Sequence, residues 1–252
     1  MDRRKFLKTA TLGGAASGAL AAPAVAQNRR TMTMVTTWGR GTAGVHDAAQ
    51  HVADSITQMS DGAMTVDLKA AGELVQAFDV FDTVTSGQVD MYHGPDYWFI
   101  GHHPAYSFFT TVPFGMTATE MACWYYQDGG HQLHDRLGEI FNLKSFLSGN
   151  TGAQAGGWYR RLITKPEDFQ GLKIRMPGIG GEVMTKLGAE VVTLPGAEVY
   201  GALKTGAIDA TEWVGPWADE RAGFSEVVSY YYPAGFHEPG GGLTLAMNRD
   251  VF

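Results

Sequence analysis

Three charged side chains stand where burial would be costly. Glu212 lies in GAIDATEWVGPW, among Ile208, Ala210, Trp213 and Val214, with no basic residue beside it. A carboxylate in such company needs a partner or a cation. Arg175 closes the short apolar run LKIRM and is followed by Pro177 and Gly178. Its planar guanidinium suits a bidentate clamp on a ligand carboxylate; an ordinary arginine on an edge strand fits the position equally well. Glu238 sits in GFHEPGG, and Gln154 in the glycine-rich GNTGAQAGG. Glu212 has two readings, a structural pair with Arg175 or a share in a cation site. If Glu212, Glu238 and a ligand carboxylate meet Arg175 alone, three negative charges face one positive charge, an excess that a desolvated cleft does not tolerate. A hard cation held by carboxylate, amide and carbonyl oxygens would relieve it.

Other candidates carry less. Tyr97 and Trp98 follow the Gly94-Pro95 turn and can wall a cleft, with the Tyr97 phenol as a donor. Trp158 and Trp213 are equally compatible with core packing or a cleft wall. His131-x-x-His134 has helical metal-ligand spacing without a third ligand, and His102-His103 precedes Pro104 in a loop. GIGG (178–181) can open a helix at an anion or simply make a tight strand-to-helix turn. No nucleophile elbow, zinc-protease, phosphate-loop or dinucleotide motif occurs.

These residues require elements to hold them. Residues 31–38 alternate as a strand, 43–59 carry an apolar helical face, 64–70 alternate again, 76–86 form a helix and 89–94 a third strand. The later half repeats that order, with strands at 172–176, 190–194 and 208–214 and helices at 181–188 and 197–206. TSGQVDMYHGP (85–95) and KTGAIDATEWVGP (204–216) match in detail, which predicts a structural repeat. A mixed helical region, 117–141, separates the halves. Such α/β units bind ligands beyond the carboxyl ends of their strands, where Arg175 and Glu212 both fall. The expectation is a two-lobed α/β protein, each lobe a βαβαβ-based sheet with flanking helices, and a ligand cleft between the lobes.

The chain opens with MDRRKFLK, a weakly apolar Ala/Gly/Leu run and Ala24-Val25-Ala26. This predicts a twin-arginine export signal over residues 1–26, with Asp2 in place of the usual hydroxyl residue. Its removal would take the net charge from −7 to −10. An acidic body without a Lys/Arg cluster argues against nucleic acid as a partner. Cys123, the one cysteine, excludes an intrachain disulfide and cysteine-based metal sites. The end at MNRDVF, directly after LTLAM, is read as the mark of a truncated chain.

GNTGAQAGGWYRR (149–161), GLKIRMPG (171–178), GAIDATEWVGPW (206–217), YYYPAGFHE (230–238) and AGEL (71–74) together resemble the DctP-like solute receptors of TRAP transporters, closest to the branch that binds α-keto acids with a cation. The resemblance spans essentially the whole chain. It implies lobe 1 at 27–150 with 238–252 returning to it, and lobe 2 at 151–237. It implies a ligand site of Arg175, Gln154, Tyr97, Asn150 and Trp213, and a cation site of Glu212, Trp213, Glu238 and Gln154, filled by sodium or alternatively calcium. A small 2-oxo or 2-hydroxy monocarboxylate would be the ligand, membrane-embedded transporter subunits the partners, a homodimer a possible assembly and the periplasm the compartment. Phe236-His237 departs from the aromatic pair of the keto-acid branch, which leaves the ligand's tail open. The rival readings are a receptor for a sugar acid, dicarboxylate or polyol, and an exported periplasmic enzyme.

Overall fold

The computed structural model describes residues 29–252. The expected export signal lies outside the described residues. Two five-stranded sheets organise the chain. The first is built from β1 (Arg30–Thr36), β2 (Met64–Lys69), β3 (Met91–Gly94), β4 (Leu143–Asn150) and β10 (Gly242–Asn248), in the order β2-β1-β3-β10-β4. The second uses β5 (Gly157–Tyr159), β6 (Lys173–Arg175), β7 (Glu190–Val192), β8 (Ala210–Thr211) and β9 (Tyr230–Tyr232), in the order β7-β6-β8-β5-β9. In each, three parallel strands come from a βαβαβ unit and an antiparallel strand joins the third. This is the two-lobed α/β arrangement expected, and the repeat is real at the level of topology.

The repeat extends to single hydrogen bonds. In TSGQVDMYHGP, Asp90 accepts the Thr33 backbone N–H at 2.6 Å; in KTGAIDATEWVGP, Asp209 accepts the Lys173 N–H at 3.2 Å. Thr33 and Lys173 hold equivalent places, since Met34 pairs with Met91 and Ile174 with Ala210. The shared Asp therefore ties the first strand of each unit to the third.

Helices α1 (Val45–Met59) and α2 (Val80–Thr85) belong to the first unit. A short α3 (Ser107–Thr110) follows, then α4 (Ala118–Gln127) and α5 (Gly130–Glu139), the mixed helical region resolved into two helices. The second unit holds α6 (Gly178–Lys186) and α7 (Gly196–Thr205), and α8 (Pro216–Arg221) comes after β8. Helix α4 starts on a capping box, Thr117 with Glu120, which satisfies free N–H groups of the first turn. Strand β10 is buried along its whole length because both faces of the first sheet are covered, one by the Phe81–Tyr92–Phe99 core and one by the Met34–Trp38–Leu243 core. No helix among the described residues is long and apolar enough to cross a membrane.

Several expected elements are shorter than the pattern predicts; the strands over 89–94, 172–176 and 190–194 each lose two residues, and two others depart further. The helix over 76–86 begins only at Val80. The strand over 208–214 is two residues long. After Thr211 the backbone leaves the ladder, and the N–H groups of Val214 and Gly215 are taken by the buried Asp219 carboxylate at 3.1 and 2.8 Å. An apolar run reads as strand whether its N–H groups meet a neighbouring strand or a side chain, so periodicity could not see this exit.

Candidate functional site

Two connections link the sheets, one from β4 to β5 and one from β9 to β10, and they run side by side. Gln154 N–H donates to the Glu238 carbonyl at 2.9 Å, and Thr151 N–H to the Gly241 carbonyl at 2.9 Å. Their side chains join as well. The Gln154 amide donates to Glu238 Oε2 at 2.8 Å and to Thr151 Oγ1 at 3.1 Å. Lobe 2 supplies the other wall from the ends of β6 and β8. Arg175 Nη1 donates to Glu212 Oε1, and Arg175 Nε to the Leu194 carbonyl at 3.2 Å. The Trp213 indole lies over the guanidinium at 5.4 Å, and the absence of a side chain at Gly196 lets it settle against α7.

The charged groups, Gln154 and Trp213 are buried. Arg175 is 2 % exposed, Glu212 1 % and Glu238 3 %. Glu212 is therefore neither a surface carboxylate nor an orphan: Arg175 holds one oxygen and His237 Nε2 stands 3.4 Å from the other. Burial, reinforced by the nearby Glu212 charge, pushes the Glu238 carboxyl up to about 8. Burial alone would lower His237, but the contact with Glu212 and the charges of Glu212 and Glu238 outweigh it and raise the imidazole.

Ligand atoms of Glu212, His237 and Glu238 lie within 4.8 Å of one another. Gln154 Oε1 is buried without a hydrogen-bond partner, an oxygen free to coordinate. Two carboxylates and an unpartnered amide oxygen fit a hard cation. An indole has no oxygen, so Trp213 can serve a cation only through its carbonyl. His237, read from the sequence only as a departure bearing on the ligand's tail, stands instead against Glu212; nothing in one sequence tells a buried imidazole facing a carboxylate from an aromatic substitution.

Arg175, Gln154, Glu238, Tyr97 and Trp213 line one cavity of about 20 Å³, together with Trp38, Val45, Trp98 and Leu243. That volume admits a water-sized occupant. Asn150 stands apart from the cavity lining. Its Oδ1 accepts the Gly152 N–H at 2.8 Å and its amide points at Met121 Sδ, so the side chain shapes the first connection. The His131/His134 spacing is structural: His134 is buried 2.9 Å from Asp96 and 3.1 Å from the Tyr125 hydroxyl, while His131 packs edge-on against the Tyr125 ring. GIGG is the tight turn into α6, where a Cβ at Gly180 or Gly181 would strike His237 or the Met176 carbonyl.

The family described as bacterial extracellular solute-binding protein, family 7 (DctP), matches residues 34–252. A monocarboxylate 2-oxoacid-binding periplasmic protein of Nostoc is 40% identical over 219 residues, which are 87% of this chain and 60% of the relative; the chain thus spans less than two thirds of that relative's length. A TRAP periplasmic solute-binding protein from Pseudoalteromonas atlantica, solved with sodium and pyruvate, is 42% identical with a TM-score of 0.85, covering 88% of this chain and 67% of that one. One from Colwellia psychrerythraea, solved with calcium and pyruvate, is 40% identical with a TM-score of 0.84 over the same shares.

Proposed function

The chain belongs to the bacterial extracellular solute-binding proteins of family 7 (DctP), and from that premise we propose that it captures a small 2-oxo or 2-hydroxy monocarboxylate together with a cation and delivers it to the membrane subunits of a TRAP transporter. The observation that carries this reading is one small cavity lined by Arg175, Glu238 and Gln154, with Glu212 bonded to Arg175 and its carboxylate within 4.8 Å of that of Glu238. The sodium and pyruvate of one relative, the calcium and pyruvate of another and the 2-oxoacid name of the third support the ligand class. We divide the chain into lobe 1 (27–150 with 238–252) and lobe 2 (151–237), hinged at the paired connections. The expected export signal accounts for delivery to the periplasm by the twin-arginine route.

Each residue then has a task. With Nε donating to Leu194 and Nη1 to Glu212, Nη2 is the nitrogen of Arg175 left without a partner among the described residues for a ligand carboxylate. Drawing Glu212 towards a cation frees Nη1 for the ligand. Glu238 would give up its proton and join Glu212 and Gln154 Oε1 around the cation, which supplies the positive charge that the ligand carboxylate and two glutamates lack. Trp213 offers its carbonyl to the cation and its indole as a lid over Arg175, and Tyr97 closes the lobe 1 side. Ligand shifts the open–closed equilibrium only through contacts made in the closed form.

Thermal shift and calorimetry with pyruvate, lactate, dicarboxylates and polyols test it, each run after chelation and again with sodium or calcium. Short 2-oxo or 2-hydroxy acids should stabilise the protein only with a cation present, by about 2.7 kcal/mol at a hundredfold excess over Kd. Unchanged binding in cation-free buffer would refute the cation; binding of a polyol in preference to any acid would refute the ligand class.

A further inference from the structure

The cavity has two unlike ends. One is polar, made by Arg175, Gln154, Glu238 and Thr151. The other is apolar, made by Trp38, Val45, Trp98 and Leu243, which belong to or pack against a single core cluster of lobe 1. An acid whose carboxylate sits on Arg175 points its carbon tail at this second wall.

Trp38 cannot yield there. Its indole Nε1 donates to His93 Nδ1 at 3.1 Å. His93 is fully buried, and that burial holds its imidazole down at about 4, so the ring is neutral and Nδ1 remains an acceptor at ordinary pH. Trp98 packs on the indole with ring centroids 5.7 Å apart and is itself backed by Phe78 at 4.8 Å. The Trp38 backbone is fixed too: its carbonyl accepts the Ala71 N–H at 2.8 Å, and its N–H meets Thr36 Oγ1 at 3.3 Å. A side chain hydrogen-bonded at its tip, packed against a tilted indole on its flank and anchored at its backbone does not swing aside for a longer ligand.

We propose that Trp38, locked by His93, sets the length of acid this protein accepts: a three-carbon acid meets the indole, and longer chains are refused. This rests on the receptor reading above. Trp38 is the specificity-determining residue, and His93 is a positioning residue that acts through it.

The test measures Kd by calorimetry for straight and branched acids of three to six carbons, in 2-oxo, 2-hydroxy and unsubstituted series, on the full chain. In the natural protein each carbon beyond three should weaken binding by about tenfold or more. Trp38→Leu should shift the preference towards five- and six-carbon acids by at least about tenfold relative to the three-carbon acid. His93→Leu should relax the preference in the same direction, and His93→Asn, whose amide oxygen can replace Nδ1, should restore it. The ratio of affinities is read within each variant, so loss of stability alone does not move it. Should Trp38→Leu not fold, Trp38→Phe, which loses the N–H and shortens the ring, gives the same shift at smaller size. Wild-type ratios in the Trp38 and His93 variants overturn the proposal. Binding confined to the unsubstituted series overturns the 2-oxo/2-hydroxy reading while the length limit still stands; no binding in any series overturns both.

Discussion

The two lobes share one topology and put opposite chemistry at the same point of it. Matching Asp90 to Asp209 and following the register, Val35 of β1 corresponds to Arg175 of β6, and His93 of β3 corresponds to Glu212 just past β8. In lobe 1 these positions hold an aliphatic side chain packed in the Phe81–Tyr92 core and, on the opposite face of the sheet, a neutral buried histidine; in lobe 2 they hold a guanidinium bonded to a carboxylate. His93 braces Trp38, and Arg175 lines the cavity. Strand lengths follow the same division. The sheet of lobe 1 has strands of four to eight residues and encloses two large cores, whereas no strand of lobe 2 exceeds three. A short ladder ends early and leaves side chains such as Glu212 and Trp213 free to enter a cleft. The lesson is that one half of a duplicated scaffold can serve as wall while the other carries charge.

The most severe way to break this contrast is to write lobe 1's aliphatic residue into lobe 2. Arg175→Val should abolish acid binding and strand Glu212 as an unpaired buried charge, costing about 3–5 kcal/mol of stability. Adding Glu212→Gln should recover most of that stability in chemical denaturation, since both charges are then gone. Binding should not return. If the double variant still binds pyruvate with its cation, the polarity of lobe 2 is structural and the contrast means nothing for ligand.

A second, smaller effect sharpens it. Glu238 has its carboxyl pushed up to about 8, against an unfolded value near 4.5. Between those limits the folded state holds a proton that the unfolded state lacks, so stability of the cation-free protein falls as pH rises through this window, by a few kcal/mol in order of magnitude. His237, also raised, adds to the loss with the same sign. Cation binding must displace the Glu238 proton, so its affinity should improve about tenfold per pH unit up to about 8 and then level off. Glu238→Gln should flatten the stability slope and remove the proton release seen by calorimetry in two buffers. His93 acts with the opposite sign: held at about 4 in the fold against an ordinary 6.5, it leaves the unfolded state with the extra proton, so its share of stability rises with pH between those values.

Much of this was legible in the sequence, and the misses share a cause. Periodicity in TMTMVTTW, MTVDLKA and LKIRM gave the parallel strands, and the paired Gly-x-Val/Ile-Asp motifs gave the repeat. Arg175, Glu212 and Glu238 were legible because a charge flanked by apolar residues demands a partner. Gln154 and Tyr97 came through glycine-rich and Gly-Pro contexts. Asn150 turns its short side chain back on its own loop, a choice made by local backbone geometry that spacing does not record. His237, Asp219 and the Trp38–His93 bond were invisible. Each depends on which buried groups meet across distant elements, and no spacing along the chain records that.

The gentlest test addresses the shared scaffold itself. If Asp90 and Asp209 are architectural equivalents, Asp90→Ala and Asp209→Ala should each cost about 1–2 kcal/mol, the value of a charge-assisted bond to a backbone N–H that is only half-buried. Asp90 should cost more, because its bond is 2.6 Å against 3.2 Å. Neither should change the Kd for acid or cation more than about twofold, since a lost tie between neighbouring strands shifts the folding equilibrium without touching the cavity. A large loss of binding in Asp209→Ala alone would mean that the motif in lobe 2 has been drawn into the site, and that the two units differ in their framework as well as in the groups they display.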